Sequence, residues 1–481
     1  MKIKLSRHKT KIVCTIGPAS RSEKILKKLI HAGMNVARLN MSHGNLYEHS
    51  EDIAHIHRAS EEIGRTVALM IDLPGPKIRI GKVNPDPLPL KRGETVTLCT
   101  SGKPGSLSLI PVEYPELTAS VKKGSLIYLN DGFIQLKVRA IRKDEVDCRI
   151  LVGGMLLSRK GLNIPGSPIR IDAVTPRDLE FVEFGLEQGI GLFCVSFVER
   201  AADLQKIRRF ALERGRKVRL VAKIERKKAV KNIDEILDAA DALMIARGDL
   251  GVETPIADIA AMQKQLIRKA NLRGIPVITA TQMLESMTEH ILPTRAEATD
   301  VANAILDGTD AVMLSEETAI GRHPVETVRM MARIAASIER PEQASQWAFD
   351  LLDRFKKKKE KGTISIEDVI SLDVIEATRI LKIRLIIAPT ETGTTPRRIS
   401  RFKPPCWILS FSRDEAVHRF LCLSYGVLPL LLDEGDGNDW EALLEFTRAR
   451  GLAAPGDTVI LTESAPPGSR QNTGSLRIMR L

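Results

Sequence analysis

The chain has 481 residues, more than a single hydrophobic core accommodates, so two to four domains are expected. Its 43% hydrophobic and 27% charged residues exclude a largely disordered chain. The net charge of +12 comes with only 4% aromatic residues and no nucleic-acid-binding signature, so anionic small molecules rather than nucleic acid are the expected partners.

In chain order, short β-branched runs alternate with amphipathic segments, the pattern of a parallel sheet covered by helices. Lys11–Gly17 reads as a first strand, followed by a helix over Ser22–His31. The second strand, Val36–Ser42, carries Arg38, Asn40 and Ser42 at a spacing of two, which places them on one side of a strand. An arginine there is costly unless it meets an anion. The third strand, Val67–Leu73, ends at Asp72.

About a hundred residues then intervene, rich in Gly and Pro, with strand-like stretches at Thr95–Cys99, Ser125–Leu129, Ile134–Val138 and Val146–Leu151. A structureless loop of that length is improbable, so residues 74–172 are read as an inserted β-rich domain, placed to act as a lid. The alternation resumes with strands at Leu192–Val198, Arg219–Glu225, Ala242–Asp249, Pro276–Gln282 and Ala311–Glu317. Helices are expected at Ala201–Arg214, Ile256–Arg273 and Pro324–Glu339. Eight βα units predict a closed (β/α)8 TIM barrel over residues 1–73 and 173–342.

Gln343–Thr363 reads as a connector, its Lys356–Lys361 charge run solvated. Residues 343–481 form a C-terminal open α/β domain, with strands at Leu385–Pro389, Trp407–Phe411, Val427–Leu432 and Thr458–Thr462. The six scattered cysteines, several in apolar runs, read as buried reduced thiols. No run approaches the ~20 apolar residues of a membrane helix, and no signal-peptide core is present, so no membrane association and a cytoplasmic location are expected.

In such a barrel the chemistry sits at the C-terminal ends of the strands, and six of the eight expected ends carry polar groups together. Glu225 and Asp249 are hard oxygen donors from adjacent strands, suited to one Mg2+ that keeps several waters. Arg38 and Lys223 are cations suited to a migrating phosphoryl group. In Arg247-Gly248-Asp249 the glycine lets backbone N–H groups approach a small carboxylate. The Thr281 hydroxyl is suited to orienting substrate or carrying a proton. Metal, phosphoryl clamp and carboxylate cradle together describe an enzyme acting on a small phosphorylated acid.

The stretches Thr10–Ser20, Ala37–Gly44, Ala222–Glu225, Met244–Gly251, Thr279–Ser286 and Pro293–Asp300 together resemble pyruvate kinase, in the family's order and over nearly the whole chain. The resemblance implies a cytoplasmic glycolytic homotetramer acting on phosphoenolpyruvate, ADP/ATP and pyruvate. Glu225 and Asp249 would hold the catalytic Mg2+, with Mn2+ as a substitute and a second Mg2+ on the nucleotide. Lys223 and Arg38 would stabilise the phosphoryl in flight, while amides of Arg247, Gly248 and Asp249, with Thr281, would hold the carboxylate. Thr281 and Ser315 match positions associated with protonation of the enolate, and Arg38, His43 and Arg79 match nucleotide-side positions. Ending at Leu481, the sequence is expected to lack the phosphohistidine domain that some relatives append.

One departure concerns the monovalent-cation site. Many members read Asp-Thr-Lys-Gly-Pro-Glu-Ile-Arg-Thr-Gly after the third strand, where this chain reads Asp72-Leu-Pro-Gly-Pro-Lys77-Ile-Arg-Ile-Gly81. Lys77 for glutamate, and Leu73 for threonine, put a fixed ammonium where K+ would sit beside Asn40, Ser42 and Asp72. K+ is therefore not expected to be required. In the C-terminal domain, Thr390, Thr392, Gly393, Thr394 and Thr395 precede a helical run, which fits either a phosphate cradle for an allosteric effector or a capped helix start. Two rivals remain: another barrel enzyme of phosphoenolpyruvate or pyruvate, such as a metal-dependent aldolase or mutase, and a non-enzymatic basic paralogue. The first does not need the lid or Lys223, and the second would not need Lys223, Glu225 and Asp249 together.

Overall fold

The computed structural model describes residues 3–130, 132–166, 172–339, 351, 353–355, 357, 364–433, 439–463 and 474–481. The connector expected at Gln343–Thr363, with its lysine run, lies for the most part outside them.

Eight parallel strands close into the expected barrel: Lys11–Thr15, Val36–Asn40, Ala68–Leu73, Leu192–Val195, Arg219–Ile224, Ala242–Ala246, Val277–Ala280 and Ala311–Leu314. The first strand pairs with both the second and the eighth, which closes the ring. Their residues are buried almost throughout, because helices cover the outer face and side chains fill the interior.

The inward-facing positions change character along each strand. Val13, Val36, Met70, Cys194 and Val221 belong to one apolar cluster inside the barrel. Two residues further along the same faces stand Thr15, Arg38, Asp72, Ser196 and Lys223. The interior is thus apolar at its base and polar at its C-terminal mouth.

Between the third strand and the helix Pro176–Glu187 lies a separate β domain with its own core, including Leu98, Ile127, Leu136 and Ile150. It contains a six-stranded sheet and a two-stranded one. Beyond the barrel, strands Ile383–Ile387, Trp407–Ser412, Val427–Leu431 and Thr458–Glu463 form the parallel part of an open sheet. A strand the sequence did not announce, Ser475–Arg480, adds to its edge antiparallel.

The α/β domain docks on the base of the barrel. Phe420, Cys422 and Leu423, at and just after the end of helix Glu415–Leu421, join the apolar cluster of the barrel interior and seal that end. Polar ties flank this plug. Lys403 pairs with the buried Asp310 at 2.6 Å. The Lys11 ammonium donates to the Val427 carbonyl at 2.6 Å, and His418 Nε2 meets the Thr66 hydroxyl at 2.9 Å.

Burial, reinforced by Arg419 and opposed by Glu415, holds the His418 imidazole down at about 4 against an ordinary 6.5. The folded protein therefore keeps this ring neutral where the unfolded chain already binds a proton. Its contribution is fully present above pH 6.5 and is lost as pH falls toward 4, by roughly 3 kcal/mol at most. Thermal unfolding followed from pH 7 to pH 4.5 should show this loss, and His418→Gln should flatten that part of the profile.

Candidate active site

Asp72 is the hub of the polar mouth. Its Oδ2 accepts from Arg38 Nε at 2.7 Å and lies 2.6 Å from Arg38 Nη2, while its Oδ1 lies 3.2 Å from the Lys223 ammonium. Lys223 also lies 2.9 Å from Glu225 Oε1 and donates to Ser196 Oγ at 2.7 Å. Arg38 Nη1 donates to the Thr15 hydroxyl at 2.8 Å. All four charged groups are buried.

Their proton affinities follow from that packing. Burial alone would push the Asp72 carboxyl up, but Lys223 and Arg38 outweigh it and hold it below the usual range. Burial opposes the Lys223 charge as well, yet Asp72 and Glu225 raise its affinity above that of a free lysine. Glu225 goes the other way. Burial raises its carboxyl, Lys223 opposes that, and the nearby charge of Asp249 adds to it.

Glu225 Oε2 accepts the backbone N–H of Phe197 at 2.7 Å. Phe197 holds a φ of +55, a left-handed conformation uncommon for an aromatic residue. Arg226 stacks 5.0 Å from its ring. Thr281 is likewise left-handed, at φ +69, and is fixed from several sides. Its hydroxyl accepts from the Gly248 amide at 2.8 Å and donates to the Ala280 carbonyl at 2.6 Å. Its own carbonyl accepts from Arg247 Nη2 at 2.8 Å.

Several positions differ from the sequence reading. Arg247, Gly248 and Asp249 do not extend the sixth strand; they open a short helix, Arg247–Glu253. The Arg247 guanidinium turns away from the mouth to Asp300, at 2.7 Å. The Gly248 amide, expected to face a carboxylate, is capped by Thr281. Ser42 lies beyond the second strand, exposed, with its amide on Asn40 Oδ1 at 3.2 Å. Lys77 reaches Asp249, at 3.8 Å, so its ammonium lies beside that carboxylate rather than in the Asp72 cluster. Leu73 ends the third strand with its side chain buried. Ser315 follows the eighth strand, and its amide donates to the buried Glu317 at 2.6 Å. His43 is exposed on the barrel rim, while Arg79 stands in the β domain with its guanidinium on the Arg159 carbonyl at 3.1 Å.

Sequence reasoning passed over Thr15 and Ser196, although both sit at the ends of expected strands. Their hydroxyls are the neutral partners of Arg38 and Lys223, and nothing in their local sequence separates them from ordinary strand-end hydroxyls. Among the described residues no group of three His, Cys, Asp or Glu side chains forms a metal cage. Two carboxylates, with the Glu225 carboxyl raised partly by Asp249, are what a Mg2+ ion completed by water and substrate oxygens requires. A concavity of about 1720 Å3 lies at the other end of the barrel, between its base and the α/β domain. None of the four clustered charged residues lines it.

In the C-terminal loop, Gly393 at φ +77 caps the seven-residue helix Thr394–Ser400. Its amide donates to the Thr390 hydroxyl at 2.9 Å, and Thr392 and Thr394 share a bond of 2.9 Å, whereas Thr395 is buried. Arg219 Nη2, from the fifth barrel strand, lies 3.4 Å from the Thr392 carbonyl.

Removing the hub leaves two buried cations facing each other. Asp72→Asn should destabilise the protein by about 3–5 kcal/mol, the usual penalty for breaking a buried ion pair. Chemical denaturation of the two proteins side by side measures it.

Two family models match the chain: the pyruvate kinase barrel domain over residues 7–328 and the pyruvate kinase alpha/beta domain over residues 368–479. A pyruvate kinase of Thermococcus litoralis is 48% identical over 479 residues, spanning 100% of both chains. One from Geobacillus stearothermophilus is 42% identical over 480 residues, covering 99% of this chain and 80% of the relative.

Proposed function

The chain belongs to the pyruvate kinase family, and we propose that the polar mouth of its barrel moves a phosphoryl group from phosphoenolpyruvate to ADP, yielding pyruvate and ATP. The observation that carries this reading is the Lys223 ammonium, held between Asp72 and Glu225 with Arg38 on the other side of Asp72. Phosphoryl transfer needs little covalent chemistry from a protein and much fixed charge where negative oxygens pass.

Arg38 and Lys223 supply that charge. A guanidinium has five N–H donors, so its bonds to Asp72 and Thr15 do not exhaust Arg38. Lys223 has three acceptors around it and cannot swing away, so its field is set before substrate arrives. Mg2+, with Mn2+ as a substitute, would be held by Glu225 and Asp249 and would neutralise phosphoryl and enolate oxygens. The substrate carboxylate takes the place of the Thr281 hydroxyl on the amides that open the helix at Arg247. Thr281 and Ser315 face the carbon that must gain a proton once the phosphoryl has left. The nucleotide lies between the barrel rim, at Arg38 and His43, and the β domain, at Arg79, which closes as a lid.

K+ is not required in this reading. The Asp72 carboxylate is already occupied by Arg38 and Lys223, Asn40 Oδ1 takes the Ser42 amide, and Leu73 offers no oxygen from its side chain. Lys77 adds a fixed positive charge next to Asp249. The protein assembles as a homotetramer. In support, Ile256 on the barrel is 85% exposed and Ile380 on the C-terminal domain is 79% exposed, beside an open edge strand at Ser475–Arg480. Thr390, Thr392, Gly393, Thr394 and Thr395 take the phosphate of an allosteric effector, with Arg219 beneath the loop. A cytoplasmic location fits six buried cysteines without disulfides. No helix among the described residues is long and apolar enough to cross a membrane.

Pyruvate should appear from phosphoenolpyruvate and Mg2+ only when ADP is supplied; release without ADP would favour the aldolase or mutase reading. Lys223→Met should lower kcat by about 10^3-fold or more, since it removes a charge placed for the transition state. Initial rates in a tetramethylammonium buffer should change little on adding KCl, and strong activation would refute the K+ assignment.

A further inference from the structure

The chain leaves the barrel for the β domain through Pro74-Gly75-Pro76 and returns through Ala173-Val174-Thr175. Both passages meet one side chain. Asp178, in the first turn of helix Pro176–Glu187, is 1% exposed. Its Oδ1 accepts the Gly75 amide at 3.0 Å, on the outgoing passage. Its Oδ2 accepts the Thr175 amide at 2.7 Å and the Thr175 hydroxyl at 2.6 Å, on the returning one.

The Asp178–Thr175 half alone is an ordinary capping box. The bond to Gly75 is not part of any helix cap, since it comes from 103 residues upstream. Gly75 is itself pressed against the active-site wall. At φ +61, a Cβ on it would stand 3.0 Å from the Phe197 ring and 3.1 Å from Ser196 Cβ. Ser196 holds Lys223 and the Phe197 amide holds Glu225. Two residues beyond Gly75, Lys77 reaches Asp249. A second clasp steadies the returning passage, where Lys206 donates to the Val174 carbonyl at 2.8 Å.

We propose that Asp178 is the hinge pin of the β domain, a positioning residue that fixes both passages of the chain and so sets where the lid rests and how it brings Lys77 and Arg79 over the barrel mouth. This rests on the lid reading given above. Buried, with N–H and O–H donors on its oxygens and the positive end of a twelve-residue helix behind it, the carboxylate holds both passages with no counter-cation among the described residues. The lid then turns about two anchored points instead of swinging on loose linkers.

The six native cysteines are all buried, so a dye pair can be placed at Leu107→Cys on the β domain and Leu212→Cys on the barrel, both largely exposed. In the parent the inter-dye distance should shift on adding Mg2+ and ADP. Asp178→Ala should broaden the ligand-free distribution and raise KM for ADP about tenfold, with KM for phosphoenolpyruvate within about twofold. Asp178→Asn, which keeps the shape and one acceptor oxygen, and Thr175→Val, which removes one donor, should fall between parent and Ala; they carry the comparison if Asp178→Ala does not fold. A parent whose distance ignores Mg2+ and ADP overturns the lid and the pin together. A parent that closes, with variants matching it in distance distribution and KM, overturns the pin alone.

Discussion

Everything at the barrel mouth is arranged around one buried carboxylate. Asp72 lies between a guanidinium and an ammonium, and Glu225 supplies the second negative charge, so two cations and two anions balance inside the barrel. At the rim, Lys77 and Asp249 add one more of each. Burying such charges is expensive, and pairing them only approximately recovers the loss of hydration. The cluster is therefore poorly explained as a source of stability. It is well explained as a fixed electrostatic field, because groups locked by mutual contacts need no rearrangement when negative charge develops nearby.

The barrel interior reconciles this with a stable fold by dividing its two ends. At the base, side chains from the parallel strands meet Phe420 and Leu423 of the α/β domain in a dry, apolar plug. At the mouth the same strands turn polar within two residues. Backbone strain gathers at the mouth as well. Of the six non-glycine residues with positive φ among those described, Phe197, Thr281 and Gln282 follow barrel strands at this end. In two of them the strained residue aims a group at the site: the Phe197 amide at Glu225 and the Thr281 hydroxyl at the Gly248 amide. Strain of this kind persists only where the surroundings over-determine it, and the sealed base provides that support.

Much of this was legible beforehand, for physical reasons that also mark the limit. The eight strands could be read because parallel strands buried on both faces appear as continuous apolar runs. Asp72, Lys223 and Glu225 stood out because charge at a strand end demands a partner. Boundaries were harder. Arg247-Gly248-Asp249 and Ser315-Glu316-Glu317 continue their strands on paper, yet each segment turns into a short helix, because the chain must leave the barrel there and its next amides find partners one turn away. Thr15 and Ser196 escaped notice because a hydroxyl reveals its role only through neighbours distant in sequence. The edge strand Ser475–Arg480 escaped for a related reason: with none of its residues buried, it has no apolar run to announce it.

Lys77 shows why placement matters more than residue type. Read along the chain, it lies five residues from Asp72 and is expected in that cluster. In space the outgoing passage crosses the mouth, and the ammonium arrives at Asp249. A fixed cation there does not simply stand in for an ion beside Asp72. It places positive charge beside Asp249, carried on the passage that leads into the β domain. Arg38 and Lys223, by contrast, are rooted in the barrel strands themselves. On the lid reading proposed above, charge that travels with the β domain and charge that stays with the barrel would act at different stages of one turnover, the second holding the site ready and the first completing it on closure.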